Sequence, residues 1–106
     1  MTAGFDDPVL VRFRKALDAM YGPRLERVVL FGLRARGDAR DDSDYDVAVF
    51  LKTLPDRWAE LDRLARLRVD MIDVTGAFFD AKPYAASAYA DRTPLMHEIR
   101  RTGQDL

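Results

Sequence analysis

Asp44 and Asp46 stand two residues apart at the opening of the apolar run Tyr45 to Leu51. A strand repeats its side-chain direction every second residue, so both carboxylates point the same way. Held a few ångströms apart, they repel each other unless a cation lies between them. Magnesium suits such a pair, because it is usually held by one or two carboxylates together with substrate phosphates and retained waters. Upstream, Gly32 follows directly on the apolar run Arg27 to Phe31. A glycine there lets the backbone turn and lets a phosphate approach amide groups closely. Strand, glycine turn, short helix and a strand opening with Asp-x-Asp make a site for a metal–triphosphate.

The elements that must position these residues are legible in the spacing. Asp7 to Tyr21 reads as an amphipathic helix, capped by Asp6 or Asp7, with Pro8 in its first turn and Gly22-Pro23 as its stop. Its expected core face is Phe13, Leu17 and Met20. Arg27 to Phe31 and Tyr45 to Leu51 read as strands, apolar on both faces near their middles, which calls for a sheet covered by helices. The loop between them, Leu33 to Asp44, is rich in Arg and Asp and longer than a hairpin turn needs; loops of that length in a small domain are usually functional. Pro55 to Thr75 reads as a long helix ending at Gly76, with Trp58, Leu61, Leu64, Ala65, Leu67, Met71 and Ile72 near one side. Ala77 to Lys82 then forms a third strand with Phe78, Asp80 and Lys82 on one face. A competing reading ends the helix at Leu67 and makes Val69 to Val74 the strand. Pro83 to Arg92 is irregular, and Thr93-Pro94 opens a last helix, Leu95 to Arg101, closed by Gly103. The expected fold is therefore α/β, with a small mixed sheet backed by helices in a single domain over residues 1–106.

Composition narrows the function. Without cysteine there is no thiolate metal site, and the single histidine, His97, rules out a histidine cluster. A net charge of −1 lacks the electrostatic footprint of a general nucleic-acid binder, so no direct nucleic-acid partner is expected. No apolar run reaches the length of a membrane span and no signal peptide opens the chain, which gives the expectation of a cytoplasmic protein without a membrane partner. Fifteen of the eighteen acidic residues are Asp, whose short side chain favours caps and loops over helix interiors.

The stretch Val28-Val29-Leu30-Phe31-Gly32-Leu33-Arg34-Ala35-Arg36-Gly37, continuing to Ser43-Asp44-Tyr45-Asp46-Val47-Ala48-Val49, resembles the minimal nucleotidyltransferases of the polymerase-beta superfamily, the MNT domains. Their signature is Gly-Ser, ten residues, then Asp-x-Asp; here Gly32 matches the glycine, residues 34 to 43 the spacer, and Asp44 and Asp46 the pair. The likeness extends to a closing Pro-Leu helix, Pro94-Leu95 to Gly103. The resemblance implies a polymerase-beta-type fold, ATP and Mg²⁺ as cofactors, Asp44 and Asp46 as metal ligands, and Gly32, Leu33, Arg34 and Ser43 around the nucleotide. It also implies a third carboxylate from the next strand as general base: Asp80 in the first reading of the chain, Asp70 in the second. Freestanding domains of this kind commonly act as antitoxins that bind a HEPN ribonuclease toxin and place AMP on one of its tyrosines. The implied function is AMP transfer to such a toxin within a hetero-oligomer.

One departure bears on catalysis. The family's serine is Leu33 here, and leucine neither donates nor accepts a hydrogen bond. Losing one bond to a charged oxygen costs about 1.5–3 kcal/mol, or roughly one to two decades in affinity or rate. The alternative function is accordingly an impaired domain that neutralises its toxin by complex formation alone. A third option is transfer to an aminoglycoside-like hydroxyl.

Other residues have plainer readings beside the chemical ones. Asp38, Asp41 and Asp42 are loop charges paired with Arg34, Arg36 or Arg40; Arg34 and Arg36 could instead meet phosphates, which guanidinium geometry matches. His97 has a surface or packing role. Trp58 is a core anchor on the long helix. The apolar segment Tyr84 to Tyr89 either packs over the sheet edge or forms a partner surface.

Overall fold

The computed structural model describes residues 7–40 and 43–106; the Asp6 cap and the loop charges Asp41 and Asp42 lie outside the described residues. Helix α1, Pro8–Tyr21, begins where Asp7 Oδ1 accepts the Val9 amide at 2.8 Å and ends at Gly22. A 3-10 turn leads into strand β1, Leu25–Phe31, which passes directly into the short helix α2, Gly32–Arg36. Strand β2 is Tyr45–Leu51, helix α3 is Arg57–Thr75 and strand β3 is Phe79–Ala85. After a second 3-10 turn, Ala86–Ala90, helix α4 spans Pro94–Thr102 and a two-residue strand β4, Gln104–Asp105, closes the chain.

The sheet order is β3-β2-β1-β4; β1 runs antiparallel to β2 and β4, and β2 parallel to β3. The parallel pair is joined by α3, the helical crossover that parallel strands require. One face carries Val28, Leu30, Val47, Val49, Phe79 and Ala81 against Leu10, Phe13 and Leu17 of α1 and Leu64, Leu67 and Met71 of α3. Phe79 stacks between Phe13 (4.1 Å) and Tyr45 (4.7 Å), which ties β3 to α1 across β2. The other face carries Val29, Ala48 and Phe50 beneath Met96 and Ile99 of α4, with Tyr84 and Tyr89 packed around Phe50. The sheet is therefore covered on both faces, as its doubly apolar strands demand.

The long helix runs over Arg57–Thr75, starting two residues after the expected Pro55, and Val69 to Val74 is not a strand. Leu64, Leu67 and Met71 fill the core at helical spacing, and the left-handed Gly76 terminates α3 with its amide on Ile72 O at 2.9 Å. Asp70 consequently lies on the exposed side of a helix, away from the sheet. Three expectations are corrected. The buried face of α1 is Leu10, Phe13, Leu17 and Tyr21, with Met20 only half-buried. Trp58 is no core anchor: it is 81% exposed, because the inward stripe of α3 begins at Glu60 rather than at the helix start. The third strand continues through Pro83 to Ala85, since β3 is an edge strand, where a proline's missing amide need not cost a ladder bond.

Strand β4 was hidden by its brevity. Its geometry is set by Gly103, where any Cβ would collide with Ile99 O and Val29 Cγ1, so the chain can hug β1 on leaving α4. Leu106 N donates to Val28 O at 2.9 Å, and Arg14 Nη1 donates to Leu106 O at 2.6 Å.

Candidate active site

The site forms at the end of the sheet where β1 stops and β2 and β3 begin. The registers pair Phe31 with Asp46 and Asp46 with Asp80, so the two acids lie side by side on neighbouring strands, on the face that carries α4. Asp44 lies one residue before β2 and shares the parity of Asp46, but it is exposed and lies outside the cavity lining. Gly32 explains how β1 can turn here. Its φ is +75°, a left-handed conformation that favours glycine, and a Cβ at this position would run into Asp46 Oδ2. The glycine and the aspartate thus require each other.

A cavity of about 390 Å³ opens over these groups. Asp46, Asp80, Lys82, Arg36 and Glu98 supply its polar wall, Gly32 and Leu33 its rim, and Phe31, Tyr84 and Leu95 add apolar surface. Lys82 Nζ stands 3.9 Å from Asp80 Oδ2, while Arg36 reaches Glu98 Oε2 at 3.1 Å and Asp38 Oδ2 at 3.7 Å. The Asp46 carboxyl is pushed above its ordinary range, first by burial and then by the charges of Asp80, Asp44 and Glu98, with Lys82 opposing. Ionised acids crowded in this way are stabilised by a hard cation. Among the described residues no group of three or more His, Cys, Asp or Glu is gathered closely enough to hold a metal unaided. Asp46 and Asp80 supply carboxylate oxygens on adjacent strands, the donor chemistry that a hard cation such as Mg²⁺ takes when it shares the rest of its shell with phosphates and water.

Leu33 lies on the rim of this cavity and is 45% exposed. Arg34 and Ser43, expected at the nucleotide, are placed elsewhere. Arg34 stacks on the Tyr45 ring at 4.0 Å, and its Nε donates to Ser43 O at 2.9 Å. Ser43 Oγ in turn accepts the Arg40 amide at 2.9 Å. Both residues brace the loop that delivers Asp44, because successive residues of α2 radiate to different sides and Arg34 falls on the side of α1. Tyr45 completes the brace: its hydroxyl donates to Asp7 Oδ2 at 2.7 Å, and burial, then this carboxylate, pushes its pKa up to about 12. The sequence reading did not foresee Lys82, Tyr84, Leu95 and Glu98 at the cavity. The alternation of β3 could have offered Lys82 and Tyr84, which share the parity of Asp80; nothing local could have offered the α4 residues.

The family model described as "Polymerase beta, Nucleotidyltransferase" matches residues 19–104. The chain belongs to the polymerase beta nucleotidyltransferase family. A protein similar to it is MJ0141 of Methanocaldococcus jannaschii, assigned by name to the protein adenylyltransferases, which is 38% identical over 47 residues. That match takes in 44% of this chain and 48% of the relative, so the aligned part spans about half the length of the curated protein. Among solved structures, a toxin–antitoxin complex with AMP-PNP superposes with a TM-score of 0.63 at 20% identity, covering 89% of this chain and 69% of that one. A mutant of the toxin–antitoxin pair MntA–HpeT gives 0.62 at 18% identity over the same shares. At these identities the likeness is one of fold. The four-stranded mixed sheet with its helices is thus the nucleotidyltransferase fold of the polymerase beta family.

Proposed function

We propose that this nucleotidyltransferase moves AMP from ATP onto a hydroxyl of a partner protein, and that the partner is a HEPN-type toxin for which the chain is the antitoxin. The observation that carries the reading is the side-by-side placement of Asp46 and Asp80 against Gly32, in a cavity whose lining also includes apolar residues. The protein acceptor is supported by the name of the M. jannaschii relative, and the toxin partner by the neighbours in fold.

In this reading Asp44 and Asp46 would hold Mg²⁺, whose charge would neutralise the triphosphate and the leaving pyrophosphate. Gly32 keeps the end of β1 low enough for phosphate to reach the carboxylates. Asp80, beside Asp46 and without a ladder neighbour on its outer edge, accepts the proton from the acceptor hydroxyl. The acceptor oxygen bonds to the α-phosphorus as the bond from that phosphorus to the bridging oxygen breaks, and pyrophosphate departs. Lys82, two residues along the same face, supplies positive charge next to the reacting centre. Tyr84 and Leu95 offer the nucleobase apolar surface within the cavity. Arg34 and Ser43 contribute by holding the loop.

The test is to incubate the purified chain with ATP, Mg²⁺ and a candidate toxin and to weigh the toxin. A mass gain of one AMP that vanishes in Asp46→Asn supports transfer; a toxin that is neither modified nor bound overturns the reading. Leu33 favours a second reading, since it places an exposed apolar side chain where a hydroxyl would meet phosphate. In that case the toxin is inhibited by binding alone and leaves the incubation unmodified.

A further inference from the structure

Helix α3 is apolar on two sides. Its inward ladder, Glu60, Leu64, Leu67 and Met71, is buried against the sheet and α1. A second ladder with the same three- and four-residue steps, Trp58, Leu61, Ala65, Val69 and Ile72, runs along a different side. Trp58 is 81% exposed and Val69 57%, Ala65 is exposed, and Leu61 and Ile72 are only half-buried. None of the five belongs to either core cluster. A solvent-facing stripe needs no tryptophan, and five apolar positions in helical register over some 20 Å of helix are more than scattered surface residues.

We propose that this stripe is a homodimer interface, in which α3 packs antiparallel against α3 of a second copy about a two-fold axis near Ala65. Three features select a second copy. The smallest residue of the stripe lies at its middle, where two helices crossing on an axis approach most closely. The bulky Trp58 at one end then meets the Val69–Ile72 end of the other copy, so the two halves of the stripe complement each other. The third feature is charge. A two-fold axis perpendicular to both helices brings each flank of the stripe against the same flank of the other copy. One flank carries Asp62 and Arg66, now paired within the helix at 2.8 Å, and the other carries the exposed Arg57 and Arg68. About Ala65, Asp62 of each chain falls within about one residue rise, doubled, of Arg66 in the other, so the flank with Asp62 and Arg66 is complementary to itself. A single pair of helices buries less than the usual 1,200 Å² or more of stable interfaces, which places this contact among weak, reversible ones. The inference is independent of the transferase reading, because the stripe lies on the helix face turned away from the cavity-lining residues.

The test uses the full chain in sedimentation equilibrium across micromolar to millimolar concentrations. A monomer–dimer equilibrium is expected, accompanied by a blue shift in the emission of Trp58, the single tryptophan. Trp58→Ser should weaken association about tenfold or more, as loss of a large aromatic anchor does, with the melting temperature of the monomer unchanged. Asp62→Arg and Arg66→Asp should each weaken self-association, while an equimolar mixture of the two variants should associate more tightly than either alone. That recovery cannot arise from ion pairing inside one helix. A wild-type chain that stays monomeric throughout, a dimer indifferent to Trp58→Ser, or a mixture no tighter than its components overturns the proposal. So does a result in which Trp58→Ser abolishes binding of another protein and leaves self-association intact.

Discussion

At the residue scale, the contact between Gly32 and Asp46 is the tightest constraint in the site. Gly32→Ala adds a Cβ both in a left-handed backbone and against Asp46 Oδ2. The variant should displace the carboxylate and lower AMP transfer by about a hundredfold, since small misplacement at a reacting centre costs that much; a rate within a factor of two of wild type in a transfer assay would show that Asp46 need not touch the turn. Leu33→Ser restores a hydroxyl at the cavity rim and should raise transfer by about ten- to a hundredfold. If the rate stays flat, the leucine is not the defect, and the chain acts through its backbone or through Lys82. The carboxylate pair and the glycine were legible in the sequence because their relation is local: a two-residue repeat and a turn directly after a strand. Lys82 was only half legible. Its parity with Asp80 was visible, but whether that face looked into a cavity depended on α4, which arrives from the far end of the chain.

At the element scale, the start of α3 is fastened to the start of β1 through a buried acid. Glu60 is 4% exposed; its Oε2 accepts from Arg24 Nη2 at 2.9 Å, and Arg63 lies 3.7 Å from Oε1. The Tyr21 hydroxyl and Glu60 Oε1 are both buried without a hydrogen bond of ordinary geometry. Burial, then the nearby Glu60 charge, holds the Tyr21 phenol protonated far above its usual range. Glu60→Ala leaves Arg24 without its buried partner and should destabilise the protein by about 1–3 kcal/mol in urea unfolding. This is below the figure for a fully buried pair, because Arg24 is a third exposed. An unchanged midpoint would mean that the pair merely offsets its own desolvation.

The same helix junctions set an alkaline limit. Tyr21 and Tyr45 both have folded pKa values raised above the ordinary 10.0, the latter to about 12. An acid whose folded pKa is raised binds its proton more tightly in the folded state. Its contribution is therefore complete below pH 10 and is lost as the pH climbs from 10 towards 12. The melting temperature should fall over that window, and fall less steeply in a Tyr21→Phe, Tyr45→Phe variant; equal slopes would place the sensitivity elsewhere. Neither environment was legible in the sequence. Tyr21 reads as the end of a helix and Tyr45 as the start of a strand, and only packing closes Glu60 over one and Asp7 over the other.

At the scale of the whole molecule, the site is a meeting of three strands and two helices, so ligand binding should report on global folding. Magnesium and a non-hydrolysable ATP analogue together, at a hundredfold over their dissociation constant, would add about 2.7 kcal/mol of stability. For a domain of this size that corresponds to a rise of about 10 °C in melting temperature. The rise should require both components and disappear in Asp46→Asn. A shift seen with nucleotide alone would argue against a metal held by the carboxylates.

What the sequence determined by itself was every feature with a short physical range. The caps at Asp7, Thr93 and Gly76, the strand alternation, the helical period of residues 57–75, the turn at Gly32 and the two-residue repeat of Asp44 and Asp46 follow from contacts within a few residues. Tertiary structure alone decided which of two apolar ladders on α3 faces inward, that Trp58 is left outside, that Arg34 braces a loop, and that Gln104 and Asp105 add a fourth strand. The reason is that apolar periodicity states which residues share a side, but only the shape of the opposing surface states which side is covered. On α3, β3 and α1 offered a surface to Leu64, Leu67 and Met71, and the second ladder was left facing solvent.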